Sequence, residues 1–222
     1  MEINGVEIKW LGHSGFLIKK HKTIYIDPYN ISSDYKNEKA DVILITHSHY
    51  DHCSIEDIQK IVKSGTIVIC SPNCQSKITK INEQIELNIT EPNKEIKIGN
   101  IKINSVPAYN LDKPFHPKSE SWLGYVIKID NAIIYHAGDT DIIPEMQNLT
   151  GYSKEKNFIA LLPVGGKFTM DAEEAAEAAS IIKPILAIPM HYGSVIGDER
   201  DAEEFVNLCQ EKGIKAKILE KE

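Results

Sequence analysis

The sequence has little of what marks several common functional classes, and the first shortage is positive charge. Against 32 Asp and Glu residues stand only 25 Lys and Arg residues, which gives a net charge of −7. Proteins that bind nucleic acids or membrane surfaces usually carry a broad basic face. We therefore expect neither a membrane nor a large nucleic acid among the partners.

Cysteines and long apolar runs are also scarce. Four cysteines at irregular spacings do not suggest a disulfide framework in a chain of 222 residues. Cys70 and Cys74 could be a metal pair, but no second pair lies nearby. No apolar run approaches a membrane span, and the opening stretch MEINGVEIKWLGHSGFLIKK lacks the pattern of a signal peptide. These shortages predict a cytoplasmic protein.

Three well-known catalytic motifs are missing as well. The sequence contains no P-loop, no G-x-G-x-x-G after the first predicted strand and no G-x-S-x-G. Mechanisms that cradle a phosphate in a glycine-rich loop or use a serine nucleophile therefore have no support in the sequence.

The first half of the chain is rich in β-strand patterns. Three short runs, each ended by a turn signal, predict antiparallel strands, and the nearly all-apolar run Ala40–Thr46 predicts a central strand covered on both faces. A helix should begin at Ser54, which forms a capping box with Asp57. Further strand patterns follow, and Asp130–Asn131 reads as a tight hairpin turn.

The last third returns to alternating strands and helices. Helices are predicted over residues 171–183 and 198–213, each preceded by an apolar strand, and a last strand over residues 215–219. A chain of this length with 42% hydrophobic residues can bury one large core. We therefore predict an α/β fold in a single domain, residues 1–222, with two stacked sheets and helices outside.

The stretch ILITHSHYDHC concentrates metal-binding side chains at the end of the central strand. His47, His49, Asp51 and His52 offer imidazole and carboxylate ligands, which suit zinc and its first-row neighbours. Residues two apart on an extended chain project to the same side, so His47 and His49 can bind one ion together. Asp51 and His52 can turn toward a second ion. Ligand sites collect at this edge of α/β sheets, which argues against a merely solvated loop.

The HSHYDH motif at residues 47–52 resembles the H-x-H-x-D-H loop of the metallo-β-lactamase superfamily. GDT at residues 138–140 and PMHYG at residues 189–193 extend the resemblance over essentially the whole chain. The resemblance implies an αβ/βα four-layer sandwich of two mixed β-sheets flanked by helices. WLGHSGFLI, IYHAGDTD and LLPVGGKFTMD are most similar to the subgroup around ascorbate-6-phosphate lactonase.

The resemblance also implies a set of metal ligands around two ions. The first ion would take two histidines of the motif and a third histidine from elsewhere, the second ion would take the rest of the motif and a distant histidine, and one aspartate would bridge them. Zn²⁺ is the expected ion, although Mn²⁺ or Fe²⁺ would tolerate two carboxylates. The implied ligands are His47 and His49 for the first ion, Asp51, His52 and His191 for the second, and Asp139 between them.

Three residues are candidates for the third histidine. If the strands around Asp130–Asn131 form a hairpin, the segments that contain His116 and Asp139 meet at its open end. His136 lies three residues before Asp139 and should face the opposite way on an extended strand. We therefore favour His116 over His136 and His13, although Asn110 occupies the region where many relatives place this histidine.

Three further residues are candidates for substrate binding. Lys167, after two glycines, could offer its charge to an anionic substrate, or it could be an ordinary surface lysine. Tyr192 could donate to a developing oxyanion, or it could serve packing. The resemblance implies a place for His13 at the cavity rim, and a hydrogen-bonded turn histidine is the alternative.

The sequence thus predicts a metal-dependent hydrolase for a small, anionic substrate. One or two ions would make a hydroxide available to attack an ester, lactone, amide or phosphoester, while Asp51 and Asp139 orient the nucleophile. The alternatives are a phosphodiesterase or nuclease of the same fold and a non-hydrolytic metal-binding protein. Di-iron relatives have Glu in place of His49, which argues against a di-iron redox protein. A homo-oligomer is compatible with the sequence.

Overall fold

Seven strands form the first of two β-sheets in the computed structural model, which describes residues 1–155 and 157–222. The strands follow chain order across the sheet, antiparallel from the first to the fourth and parallel from there on. They are β1 (Glu2–Ile3), β2 (Val6–Gly12), β3 (Gly15–Lys19), β4 (Thr23–Ile26), β5 (Val42–Ile45), β6 (Ile67–Cys70) and β7 (Glu86–Ile89).

The second sheet has six strands, which also follow chain order. Its first four strands are antiparallel, and the last two extend it in parallel. They are β8 (Glu95–Ile98), β9 (Ile101–Pro107), β10 (Leu123–Ile129), β11 (Ala132–His136), β12 (Phe158–Pro163) and β13 (Leu186–Met190). Both sheets are therefore mixed, as predicted.

Helices flank the two sheets, and the first of them begins directly after Ser54, as predicted. Ser54 accepts a hydrogen bond from the Asp57 backbone, and Asp171 forms a capping box with Glu174. The helices are α1 (Ile55–Ile61), α2 (Gln75–Ile78), α3 (Ala172–Ile182) and α4 (Glu199–Glu211). Shorter 3₁₀ segments cover Ser33–Asn37, Pro72–Cys74, Lys118–Glu120 and Pro144–Lys154. The α/β sandwich predicted from the sequence is confirmed.

The predicted last strand, residues 215–219, is wrong. Ala187 exchanges two backbone hydrogen bonds with Lys215 and Lys217, and this isolated bridge at the edge of the second sheet is not continued. The chain instead crosses toward the first sheet, where the Glu222 backbone N–H donates to the carbonyl of Trp10. The segment therefore straps the two sheets together, because it leaves β13 before a ladder can form.

Strand β5 shows why the core has two parts. Its side chains alternate between the two faces of the first sheet: Val42 and Leu44 pack between the sheets, and Ile43 and Ile45 pack under α1 and α2. This confirms the central strand, buried on both faces, that the apolar run predicted.

The two sheets meet at the end of β5, and this contact positions the site. The backbone N–H of Leu123 donates to the carbonyl of Thr46 at 3.1 Å, and the Tyr125 hydroxyl donates to the carbonyl of Ile45 at 2.8 Å. The β10–β11 hairpin closes at the predicted turn, where Ile129 pairs with Ala132. Its open end therefore lies beside the loop that follows β5. Among the described residues, no helix is both long enough and apolar enough to cross a membrane.

Candidate metal centre

The loop between β5 and α1 carries the histidine motif in a tight turn. The backbone N–H groups of His52 and Cys53 both donate to the carbonyl of His49, at 3.2 and 2.8 Å. His47 and His49 project side by side, with His47 Nε2 3.0 Å from His49 Nδ1. The spacing of two therefore brings both nitrogens to one point, as the extended chain predicted.

A first group of ligand atoms forms where this loop faces the second sheet. His116 Nε2 lies 3.2 Å from His49 Nδ1 and 3.2 Å from Asp139 Oδ2. The hairpin brings these two residues together, as its geometry predicted. The group consists of His47, His49, His116 and Asp139, whose ligand atoms all lie within 4.8 Å of one another.

A second group lies next to the first. Asp51 Oδ2 is 2.9 Å from His13 Nε2 and 3.6 Å from His52 Nε2. The ligand atoms of this group also lie within 4.8 Å of one another, and its members are His13, Asp51, His52 and His191.

Asp139 lies between the two groups and touches both. Its Oδ2 atom is 3.2 Å from His116 Nε2 in the first group, and 3.3 and 3.1 Å from the Nε2 atoms of His52 and His191 in the second. Ligands of one tetrahedral ion with bonds of about 2.1 Å stand about 3.4 Å apart. The spacings therefore match those of atoms that share metal ions.

Unpartnered buried atoms test whether the residues fit a metal. His52 Nε2 and Asp139 Oδ1 are buried and have no hydrogen-bond partner among the described residues. Such atoms are rare in native proteins, because an unpaired buried polar group costs free energy. Imidazole nitrogens and carboxylate oxygens converging in this way fit zinc or another first-row divalent ion.

Burial and neighbouring charge set the protonation of these groups. Burial holds the pKa of His47 well below its usual range, and the charge of His52 adds to this, so the ring stays neutral. Burial alone would raise the pKa of Asp51, but the hydrogen bond with His13 and the charge of His52 outweigh it and lower the pKa to about 2. His191 and His52 likewise keep the pKa of Asp139 well below its usual range, against burial. The neutral His47 and the ionised Asp51 and Asp139 are therefore in the forms that bind metals. His52 differs, because burial alone would lower its pKa, but the charges of Asp139 and Asp27 outweigh this and raise the pKa well above the usual range, so it must release a proton when a metal binds.

Asp27 orients the second group and was not predicted. This buried residue follows β4, and its Oδ2 atom lies 2.7 Å from His52 Nδ1. The backbone N–H and the hydroxyl of Thr46 both donate to its carboxylate, at 2.8 and 2.6 Å. A carboxylate on the far nitrogen fixes the orientation of a ligating histidine. The available signal was the position of Asp27 at the end of β4, the parallel neighbour of β5.

Asn110 and Phe168 hold His116 in the same manner. His116 Nδ1 lies 3.0 Å from the carbonyl oxygen of Phe168, and the Asn110 amide donates to that oxygen at 2.7 Å. The amide nitrogen of Asn110 is also 3.3 Å from His116 Nδ1. Asn110 therefore supports His116 from the region where the family resemblance placed the histidine itself.

The other two candidates for the third histidine lie elsewhere. His136 faces away from both groups: its Nε2 lies 2.9 Å from the carbonyl oxygen of Ser14, and its Nδ1 accepts from the backbone N–H of Gly138. His13 belongs to the second group and is buried behind Asp51. Burial lowers the pKa of His13 to about 4, although its bond with Asp51 opposes this.

A cavity of about 240 Å³ opens onto the centre. Five residues of the two groups and four mainly apolar residues line this cavity. The residues of the groups are His49, Asp51, His116, Asp139 and His191, and the mainly apolar residues, which form its walls, are Tyr50, Phe115, Phe168 and Val195.

The three predicted substrate-binding residues do not line this cavity. Tyr192 is buried away from the centre. Its ring stacks on the ring of Trp10, with centroids 4.8 Å apart, and lines a separate cavity. Tyr192 therefore packs against Trp10 and does not make the predicted oxyanion contact, because the side chain after His191 points away from the centre. Lys167 is exposed, with its ammonium 5.1 Å from the centroid of the Phe168 ring. His13 is buried within the second group and does not lie at the predicted position on the cavity rim.

Comparisons with known proteins agree with this architecture. A sequence profile described as "Beta-lactamase superfamily domain" matches residues 7–191. The UPF0173 metal-dependent hydrolase TK0141 of Thermococcus kodakarensis is 34% identical over 212 residues, which cover 93% of each chain.

Two solved structures are similar over nearly their whole length. A protein of Parabacteroides distasonis has a TM-score of 0.82 at 32% identity, covering 97% of this chain and 94% of its own. Igni18, a metallo hydrolase of Ignicoccus hospitalis, has a TM-score of 0.79 at 27% identity, covering 97% and 95%. The profile match over residues 7–191 spans all the segments that form the two groups.

Proposed function

Because the chain belongs to the UPF0173 family of metal-dependent hydrolases in the metallo-β-lactamase superfamily, we propose that a dinuclear metal centre is the source of its activity. One observation carries this proposal: a single oxygen, Asp139 Oδ2, stands within 3.3 Å of histidine nitrogens from both groups. An oxygen in that position can bridge two ions. The narrower placement in the ascorbate-6-phosphate lactonase subgroup remains a sequence-based prediction.

The ligands we propose are those the family resemblance implied. Three histidines of the first group would hold one ion, three residues of the second group would hold the other, and Asp139 would serve both. Zn²⁺ is the ion we propose, since histidines dominate the set. The first ion would take His47, His49 and His116, and the second would take Asp51, His52 and His191.

The residues of the chain then divide the work of hydrolysis. Bound divalent ions would supply Lewis acidity and make water a nucleophile near neutral pH. Asp51 lines the cavity as a carboxylate, so it can accept a proton from the attacking water and return it to the leaving group. His13 holds Asp51 in place through its Nε2 atom. The apolar walls exclude water from the reacting atoms.

The open cavity supports an enzyme over a structural metal site. Structural zinc sites are closed by four ligands, whereas here a cavity reaches residues of both groups. Its volume of about 240 Å³ supports a small-molecule substrate. The four free, buried cysteines support the proposed cytoplasmic location.

Substitution of His47 and Asp51 tests this proposal. We expect His47→Ala and Asp51→Asn each to reduce the rate of hydrolysis by at least roughly 100-fold. Substitution of residues that merely hydrogen-bond to metal ligands already lowers metal affinity or activity by about 10 to 100-fold. Native mass spectrometry of zinc-loaded protein should give close to two ions per chain for the wild type and fewer for His47→Ala. A screen of lactones, thioesters and phosphodiesters supplies the substrate.

The matched control is His21→Ala. His21 is an exposed histidine that bonds with Asp130 and belongs to neither group. It should keep both ions and full turnover. A wild-type protein that stays below one ion per chain in metal-replete buffer would refute the dinuclear centre.

A further inference from the structure

Two phenylalanines form a wall beside the metal centre. The rings of Phe115 and Phe168 meet edge to face, with centroids 4.8 Å apart and planes at 85°. Tyr50 and Val195 complete the apolar lining of the cavity. Phe115 is 37% exposed and Tyr50 is 61% exposed, although large apolar side chains are normally buried. Apolar surface gathered at the mouth of a cavity indicates a binding surface.

The wall is tied to the metal centre by hydrogen bonds. The carbonyl of Phe168 is the group to which both His116 and Asn110 bond, and Phe115 directly precedes His116 in the chain. The backbone that carries each ring is therefore anchored at a proposed ligand, and the rings also contact each other. Such anchoring reduces the freedom of the wall, and a less mobile surface binds an apolar group at lower entropic cost.

The cavity offers no cationic side chain among the described residues. Its ionised lining groups are Asp51 and Asp139, which belong to the centre. Lys167 does not line the cavity, although its ammonium lies 5.1 Å from the centroid of the Phe168 ring, and Lys113 is occupied by Asp141 and Glu174. A carboxylate or phosphate remote from the reacting bond would thus face aromatic carbon instead of a positive charge, which costs its hydration.

From these observations we propose that the enzyme selects substrates by an uncharged, compact apolar group next to the scissile bond, packed on Phe115 and Phe168. A volume of about 240 Å³ lies below the range of roughly 300–1,000 Å³ typical of cavities for drug-sized ligands, so one aromatic or branched aliphatic group fills it. This inference rests on the proposed hydrolase and replaces the anionic substrate expected from Lys167.

Hydroxamic acids with different tails test the proposal without turnover. Each binds metal through the same head, so differences in affinity report the tail alone. We would measure the Kd of acetohydroxamic, benzohydroxamic and succinic monohydroxamic acids for the zinc-loaded protein by calorimetry. The variants are Phe115→Ala, Phe168→Ala and Lys167→Ala, with Leu111→Ala as the control, because Leu111 is 55% exposed nearby and does not line the cavity.

We expect benzohydroxamic acid to bind at least about tenfold more tightly than acetohydroxamic acid. Phe115→Ala and Phe168→Ala should each remove most of that ratio, while Leu111→Ala and Lys167→Ala keep it. Circular dichroism and the bound zinc content verify that each variant is folded and loaded. Equal affinity for all three acids, tighter binding of the succinic acid, or an unchanged ratio in both phenylalanine variants would overturn this inference alone. Loss of all hydroxamate binding by the loaded wild type would refute the proposed centre and this inference together.

Discussion

Asp27 shows how much of the candidate site depends on a residue that is not a predicted ligand. Its carboxylate accepts two hydrogen bonds from Thr46 and lies 2.7 Å from His52 Nδ1. The same carboxylate thus fixes the start of the motif loop and the ring of its last histidine. A neutral amide of equal size would keep the shape and lose the charge.

We predict that Asp27→Asn weakens metal binding by about 10 to 100-fold, because the amide no longer fixes the tautomer of His52. Competition with a chelating dye measures the affinity. Asp41→Asn is the control, since Asp41 also accepts a backbone hydrogen bond, from Thr23, but lies at the other end of strands β4 and β5, away from the site. Equal losses in the two variants would show that Asp27 acts through general stability only.

Residues adjacent in the sequence were the easiest part of the site to predict. The motif at residues 47–52 shows directly that its side chains share one loop. His116 and Asp139 are distant in the sequence, but the predicted hairpin was enough to place them next to each other. Asp27 was missed because its role needs the pairing of β4 with β5, which no local pattern reveals. Tyr192 was misplaced because His191 has a φ of 60°, and this turn sends the next side chain away from the centre.

At the scale of elements, the β10–β11 hairpin depends on Gly138. This residue follows β11 with a φ of +68°, and a Cβ added there would lie 2.5 Å from the carbonyl oxygen of Leu123. A glycine is thus needed both for the backbone angle and for the close approach of β10. Asp139 is the next residue, so the same turn aims the proposed bridging carboxylate.

Gly138→Ala should therefore destabilise the protein by about 3 kcal/mol, from the left-handed angle and the overlap together. Gly99→Ala isolates the first effect, because Gly99 has a φ of +58° and nothing within 4 Å of the added Cβ. That control should cost only roughly 1–2 kcal/mol. Urea unfolding gives both values, and equal costs would contradict the close approach as the cause.

Helix α1 ties the motif loop to the segment after β4 through Asp57. This residue is 4% exposed and accepts hydrogen bonds from the backbone N–H groups of Asn30 and Ile31. Burial alone would raise its pKa, but the bonds from Lys60, Ser54 and Asn30 outweigh it and lower the pKa. The ionised form of Asp57 is therefore more stable in the folded state than in the unfolded chain.

We predict that Asp57→Asn lowers the free energy of unfolding at pH 7 by roughly 1–3 kcal/mol. Because the folded pKa is lowered, this contribution is complete above the unfolded pKa of about 4 and is lost as pH falls through the folded pKa. The difference between wild type and variant should thus shrink in acid. Denaturant unfolding at several pH values measures it, and a difference independent of pH would contradict the role of the charge.

Regular elements were predictable where one pattern dominated. Alternating and all-apolar runs identified the strands, and the capping box at Ser54 identified the start of α1. The 3₁₀ segment Pro144–Lys154 was missed because it has no periodic apolar face. The segment 215–219 looked like a strand, but its conformation depends on a crossing between sheets that only the tertiary structure shows.

For the whole molecule, the two groups lie across the contact between the sheets. The first sheet and its loops supply His47 and Asp51, and the second supplies His116, Asp139 and His191. Ions bound here would cross-link the two sheets. Metal binding should therefore stabilise the fold as well as the site.

Zinc in excess should raise the Tm of the metal-free protein. At 100 times the Kd, one bound ion contributes about 2.7 kcal/mol, which corresponds to roughly 5–11 °C for a chain of this size. Scanning calorimetry with and without a chelator measures the shift. His47→Ala should show a smaller shift, and an equal one would place the stabilising ion elsewhere.

The order of strands in the two sheets has a kinetic consequence. Each strand pairs with its neighbours in the chain, so the contacts within each sheet span far less of the sequence than the ligand groups do, and contacts of shorter separation form sooner. The ligand groups, in contrast, join residues as far apart as His13 and His191. During refolding, the β-sheet circular dichroism signal should thus appear before the protein can bind metal, and a newly made chain should gain its metal site only when its two halves dock.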